Sequence, residues 1–336
     1  MSLSGLTALH LALQKSYKTR LDWVEFLLQS GADLSPRDNK GRTPLHYACY
    51  RGNEKAVRLF LGHGADIFGE DSSCRSAIHY AAYSDNEPTL KVILDTATTQ
   101  HRLEEALRGK DQRSCSTLHY EVIGYFTMET FLLLVRHGVE IDEVNMHGRA
   151  PLAYCLTNWR DIFSPTLMVR ALVASRTSVT LKSKEGHGLG HLYGSASASI
   201  DDMEVSALQA LAGAGLKFSE VDNQGLTILH HAAIADSLTQ DTLNYLVGEV
   251  EVNISARDAH DKSTLDYAKE RARKPHHEDT FQCYRWRMAE ALLTSWPEQI
   301  SRGKEFDRNG CSSDLHFSTY HYSLWSQPEE IEFSGI

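Results

Sequence analysis

The sequence lacks any apolar run long enough to cross a membrane. Its uninterrupted apolar runs, such as residues 131–135, are far shorter than the roughly 20 residues that a helical span needs. The N-terminal residues also lack the basic segment that opens a secretory signal peptide. We therefore expect a protein that neither crosses nor binds a membrane.

Cysteine is too scarce and too scattered for a disulfide scaffold. The chain has six cysteines, and no two of them form a Cys-x-x-Cys pair. Such usage is typical of reduced thiols inside the cell. We therefore expect a cytoplasmic location, a nuclear location, or both.

The sequence has no excess of positive charge either. It carries 34 Lys and Arg against 44 Asp and Glu, which gives a formal net charge of −10. That balance argues against a protein that coats nucleic acid or anionic lipid. The sequence also does not interleave aromatic and basic residues as a nucleic-acid binder would, so we expect no nucleic-acid partner.

What the sequence does contain is one short pattern that recurs along most of its length. The sixth residues of successive copies are separated by 36, 33, 40, 34, 38, 39 and 36 positions. A drifting period in the thirties, tied to one motif, predicts an array of small stacked units. The eight copies occupy residues 5–13, 41–49, 74–82, 114–122, 148–156, 186–194, 225–233 and 261–269.

The second copy shows why such a unit would fold. Thr43 is a favourable helix N-cap, and Pro44 suits the first position of the helix. Leu45, Ala48 and Cys49 follow with helical spacing, which leaves apolar and small side chains on one face. Because a single unit cannot bury that face, we expect neighbouring units to stack into one continuous core.

The repeated pattern resembles the ankyrin repeat, whose signature is Thr-Pro-Leu-His-x-Ala. Residues 42–48, RTPLHYA, match that signature fully. Residues 24–33 and 57–66 are similar to the second helix of that repeat and its glycine-ended C-terminus. The resemblance covers residues 1–296 and implies an all-α solenoid of about eight helix-turn-helix units with projecting β-hairpin loops. Residues 297–336 have no repeat match, and we expect a C-terminal tail that is partly ordered or disordered.

The resemblance also gives most of the histidines a structural role. In ankyrin repeats the signature histidine bonds to the backbone and to the neighbouring Thr, so that it locks repeats together. The residues that take the structural role of the motif are Thr43, Pro44, Leu45, His10, His46, His79, His119 and His230.

Other histidines and acids could suggest chemistry, but their spacing argues against it. His187 and His191 stand four residues apart, yet His187 precedes the expected helix start and no third ligand is evident. Glu121 replaces a small residue of the motif, so we expect it either to be exposed or to pair with a base such as Arg113. We expect no catalytic residue, no metal and no cofactor.

The hairpin segments favour a binding function instead. Seven of them hold 11 Arg and Lys against 10 Asp and Glu, and five of the acids occupy a recurring Asp position expected to turn inward. The first three are the most basic, and the neighbouring ends of the first helices add Tyr and Arg, which are common interface hot spots. The partner-binding candidates are Arg37, Lys40, Arg42, Tyr50, Arg51, Arg75, Tyr83, Lys110 and Arg113.

These observations predict a monomeric, non-catalytic scaffold or adaptor. It would bind a protein partner on its concave face, through an acidic or phosphorylated segment, although an ordinary solvated surface would show similar charges. Two other interpretations stay open: the ankyrin region of a larger multidomain protein, and an enzyme that uses the repeat groove.

Overall fold

The structure, a computed structural model, describes residues 5–14, 21–84, 86–124, 126–157, 165–195, 205–235, 237–273 and 289–295. Its helices are α1 Ala8–Gln14, α2 Leu21–Gln29, α3 Pro44–Tyr50, α4 Glu54–Gly62, α5 Ala77–Tyr83, α6 Glu87–Thr99, α7 Leu103–Arg108, α8 Thr117–Ile123, α9 Met128–Arg136, α10 Pro151–Thr157, α11 Pro165–Ala174, α12 Leu189–Ser195, α13 Val205–Gly213, α14 Ile228–Ala235, α15 Gln240–Leu243 and α16 Thr264–Arg273. Residues 244–249 continue α15 as a π-helical turn, and residues 289–295 are helical.

The helices confirm the predicted all-helical repeat fold. Each unit opens with a short first helix, and these helices pack side by side in the order α1, α3, α5, α8, α10, α12, α14 and α16. The second helices α2, α4, α6 and α9 form a second row. The extra helix α7 packs on the long helix α6 and accounts for the long interval between the third and fourth motifs.

The loops between units are hairpins that are made by tight turns rather than by extended strands. Within the described residues the strand pairing is limited to two isolated bridges, Lys110 with Ser116 and Arg257 with Ser263. In the first hairpin the N–H of Asp38 donates to the carbonyl of Arg42, and Gly41 takes the left-handed conformation at φ 73° that the turn requires. The same ring of bonds recurs in the later hairpins.

The core is a continuous layer of small and branched side chains. In α3 and α5 six of seven residues are buried, because these helices are covered on both sides by neighbouring units. Gly194 shows how close the approach is, since a Cβ there would lie 2.5 Å from the carbonyl oxygen of Ile228. Large apolar side chains such as Phe60 and Phe131 fill the space between the two helix rows.

Two of the sequence predictions can be compared with the structure, and a third cannot. Cys49, Cys74, Cys115 and Cys155 are free thiols. In the part of the chain that the structure describes, we find no helix that combines the length and the apolar character of a membrane span. The predicted tail, residues 297–336, lies outside the described residues, so the boundary at 296 stays a prediction.

Candidate interaction surface

The signature histidines connect each first helix to the next unit. The backbone N–H of Thr43 donates to Nδ1 of His46 over 3.0 Å, which leaves the proton on Nε2. That Nε2 donates in turn to the carbonyl of Arg75, 3.2 Å away in the following hairpin. The same bridge, from a helix start to the next hairpin, is formed by His10, His79, His119 and His230.

Burial keeps these histidines neutral. Desolvation lowers the pKa of both His46 and His79 to about 4, although nearby carboxylates and backbone carbonyls act in the opposite direction. Pro44 and Leu45 are buried beside His46, at the first two positions of α3. These motif residues therefore lie in the buried frame of the fold.

The side chain of the recurring hairpin Asp points into the hairpin and bonds to an arginine. Asp38 Oδ1 accepts the backbone N–H groups of Lys40 and Arg42, while Oδ2 accepts the Arg42 Nε–H at 2.8 Å and the Tyr47 hydroxyl at 2.9 Å. Burial alone would raise the pKa of Asp38, but the bonds from Arg42 and Tyr47 hold it below its ordinary value. The carboxylate therefore stays charged inside the hairpin.

The second hairpin repeats this arrangement. Asp71 Oδ2 accepts the Arg75 Nε–H at 2.8 Å and the Tyr80 hydroxyl at 2.6 Å. The Arg75 side chain is only 11% exposed, and that of Arg42 only 21%. Both are candidates for the partner-binding surface, and in the structure their charges pair with the hairpin carboxylates.

The other candidates divide by exposure. Lys110 forms an ion pair with Glu143, with Nζ 2.9 Å from Oε1. Arg37, Lys40 and Arg113 are exposed at the hairpin tips. Arg37 is also oriented by the backbone, because its Nη1 donates to the carbonyls of Gly41 and Glu70.

The aromatic candidates form one cluster at the ends of neighbouring first helices. The rings of Tyr50 and Tyr83 stack with centroids 5.7 Å apart and an interplanar angle of 16°. The Arg51 guanidinium lies 5.6 Å from the centre of the Tyr50 ring. Both tyrosines are half-buried and Arg51 is exposed, so the cluster presents flat, polar-edged groups at the C-terminal ends of α3 and α5.

Comparison with known proteins points to the same repeat fold as the histidine bridges and the hairpin turns. The family described as "Ankyrin repeats (3 copies)" matches residues 9–103. The chain is an ankyrin-repeat protein. An ankyrin repeat protein of Fowlpox virus (strain NVSL) is 28% identical over 137 residues, which are 40% of this chain and 18% of that protein.

Two further similarities are more limited in scope. Protein phosphatase 1 regulatory subunit 12A of Mus musculus is 41% identical over 58 residues, 17% of this chain and 5% of that protein. The chain thus spans less than a fifth of the length of these two relatives. Among solved structures, the ankyrin repeat domain of Bcl-3 aligns with a TM-score of 0.49 and 20% identity, over 84% of this chain and 99% of that chain.

The ankyrin frame is irregular at Glu121. This carboxylate is fully buried rather than exposed, and its Oε1 accepts the hydroxyl of Thr130 and, at 3.4 Å, the backbone N–H of Thr127. Its hydrogen bonds thus join α8 to the start of α9. We assign it to the frame of the fourth repeat.

The sequence analysis missed a polar cluster between the sixth and seventh repeats. His187, Asp222 and His231 bring their ligand atoms within 4.8 Å of one another. His191, which was weighed as the partner of His187, instead bonds to the backbone of Gly188 and Glu220. Repeat register could have revealed the cluster, because His231 takes the position that tyrosine holds in five of the other seven repeats.

Proposed function

We propose that this ankyrin-repeat protein is a non-catalytic scaffold or adaptor that binds a partner protein. Solenoid repeat proteins use the extended surface made by their stacked units for binding, which is the general role of ankyrin repeats. The observations that support a specific surface are the stacked pair of Tyr50 and Tyr83 with Arg51 beside it, at the C-terminal ends of α3 and α5, and the exposed cations Arg37 and Lys40 in the hairpin that precedes α3.

The exposed charges favour an acidic or phosphorylated segment as the ligand. Arg42, Arg75 and Lys110 are paired with acids of the frame, so they add little net charge to the surface. The positive charge that remains at the first tip is carried by Arg37 and Lys40, in the hairpin that leads into the helix of Tyr50. We therefore propose that one or two acidic groups of the partner meet these two cations while a planar side chain packs on Tyr50 and Tyr83.

The test is capture of partners from native lysate by the full chain, identified by mass spectrometry. The variant bait is Arg37→Glu with Lys40→Glu, which reverses charge at the tip without touching an ion pair of the frame. The matched control is Arg136→Glu with Lys184→Glu, since these cations are also exposed but lie on later repeats. Circular dichroism should show the same helix content in all three proteins.

We expect partners that are captured by wild type and control but lost from the tip variant. For a purified partner the affinity should fall at least roughly tenfold, which corresponds to about 1.4 kcal/mol. Tyr50→Ala should weaken the same partners without changing net charge. If the tip variant captures the same partners as wild type, or if wild type captures none, the proposed surface is wrong.

A further inference from the structure

Two consecutive repeats bring three metal-binding side chains to one point. Nε2 of His187 lies 3.4 Å from Oδ2 of Asp222, and Nε2 of His231 lies 2.9 Å from the same oxygen. His187 comes from the hairpin before α12, Asp222 from the next hairpin, and His231 from α14. The imidazole rings of the two histidines meet edge to face, with centroids 5.0 Å apart.

This cluster replaces an arrangement that the other hairpins share. Elsewhere the second oxygen of the hairpin Asp accepts a tyrosine hydroxyl from nine residues later, as in Asp38 with Tyr47 or Asp258 with Tyr267. At Asp222 the residue nine positions later is His231. The hairpin position of Arg42 and Arg75 is also changed here, and the residues that take it in the sixth and seventh repeats are His187 and Leu226.

At Asp222, two imidazoles replace the arginine and tyrosine that bond to the hairpin Asp in the second and third repeats. Leu226 brings no cation to Asp222, and His187 reaches forward from the preceding hairpin to the same carboxylate. Ser183 stands where the preceding hairpin would have its Asp, and its hydroxyl accepts the backbone N–H of His187 at 3.2 Å. Three separate changes at frame positions thus converge on Asp222.

The ligand atoms suit zinc. Two imidazole nitrogens and one carboxylate oxygen are a common zinc donor set, with bonds of about 2.0–2.2 Å. Tetrahedral bonds of that length place neighbouring ligand atoms about 3.3–3.6 Å apart. The separations of 2.9 and 3.4 Å are close to that value, so small side-chain adjustments would admit an ion.

The surroundings fix the carboxylate of the cluster. Asp222 Oδ1 accepts the N–H groups of Gln224 and Leu226 at 2.8 and 2.9 Å, which orients the side chain and leaves Oδ2 for the cluster. The Nε2–H of His231 donates to that Oδ2, so zinc would take the place of this proton.

We propose that His187, Asp222 and His231 form a zinc site that bridges the sixth and seventh repeats, with water as the fourth ligand. The side chain of His187 is 26% exposed, which gives an ion and its water access from solvent. His191 is not a ligand because both of its ring nitrogens bond to the backbone. Bound zinc would fasten the sixth repeat, whose motif departs strongly from the consensus, to the seventh.

The deciding variant restores the side chains that other repeats carry. His187→Arg with His231→Tyr introduces the Arg and Tyr of the second and third repeats, so it should fold and yet lack two ligands. The matched control makes the same two exchanges at exposed hairpin histidines, His147→Arg with His260→Tyr. Full-length proteins are treated with chelator, dialysed, and titrated with zinc chloride against a chromogenic chelator.

Wild type and control should each bind one zinc more than the variant, with submicromolar affinity. Zinc should also raise the melting temperature of wild type and control by several degrees but not that of the variant. Cobalt as a probe should give the visible bands of a tetrahedral site without a thiolate charge-transfer band. Equal zinc binding by wild type and variant, no binding tighter than micromolar, or a thiolate band would each overturn the proposal.

Discussion

The hairpins at residues 71–75 and 222–226 share one backbone turn but neutralise their carboxylates differently. In both, one oxygen of the Asp accepts backbone N–H groups and closes the turn. The other oxygen of Asp71 meets Arg75 and Tyr80, whereas that of Asp222 meets two imidazoles. The second oxygen is thus the place where a repeat can change its chemistry while its fold stays the same.

The two regions also differ in how the signature histidine is held. His79 accepts both the backbone N–H and the hydroxyl of Ser76, while His191 faces Gly188 and accepts only its N–H. Arg75 and Tyr80 add an ion pair and a buried hydroxyl to the third repeat. We therefore expect the third repeat to be more stable than the sixth. The predictions below test that difference.

The largest expected effect is a loss of stability on mild acidification. His46 and His79 have a pKa of about 4 when folded and about 6.5 when unfolded, so between these values the unfolded chain binds more protons. Stability should therefore be complete above pH 6.5 and fall as pH drops toward 4, by up to about 1.4 kcal/mol per pH unit for each such histidine. Urea unfolding at pH 7, 6 and 5 measures this loss of stability.

The hairpin carboxylates should add to this only at lower pH. Because the folded pKa values of Asp38 and Asp71 lie below 3.8, their contribution is present above that value and lost as pH falls further. The exposed histidine variant His147→Gln should keep the same pH slope. Equal urea midpoints at pH 7 and pH 5 would contradict the neutral state of the buried histidines.

Truncation of a signature histidine is the next largest expected effect, and it should differ between the two regions. His79→Ala removes the bonds to Ser76 and Gly109 and leaves a cavity in a fully buried position, at a cost of about 3–4 kcal/mol. His191→Ala loses one hydrogen bond fewer and should cost about 1 kcal/mol less. Urea midpoints measure both, with His147→Ala as an exposed control that should change little. If His79→Ala and His191→Ala lower the stability equally, the signature histidine is held equally well in both regions.

Much of this frame was predictable from sequence because its rules are local. The spacing of Thr43, Pro44 and His46 sets a helix start and places an imidazole over it, and the same spacing recurs around His79, His119 and His230. The extra helix α7 also follows from the longer interval before His119. Neighbouring repeats obey the same geometry, so one well-formed copy describes most of the others.

The Asp and Arg of each hairpin pair were visible in the sequence, but the arginines were interpreted as exposed binding residues. Asp38 with Arg42, and Asp71 with Arg75, are both four residues apart, and each has a tyrosine nine residues after the Asp. That repetition indicates a frame element rather than an exposed cation. The cluster of His187 and Asp222 is harder to predict, because its partners lie 35 positions apart and meet only through the stacking of two repeats.

The smallest expected effect concerns the tyrosine hydroxyls of two neighbouring hairpins. Tyr80 donates to Asp71, which also holds Arg75, while Tyr120 donates to Asp111, whose hairpin has Cys115 in the arginine position. Tyr80→Phe should therefore cost about 1 kcal/mol, because the ion pair remains, and Tyr120→Phe nearer about 2 kcal/mol, because it removes a hydrogen bond to a charge that has no such ion pair. Urea midpoints at pH 7 compare the two variants. An equal or reversed order would show that arginine adds nothing to the carboxylate, and the contrast drawn between the regular hairpins and the one at Asp222 would lose its physical basis.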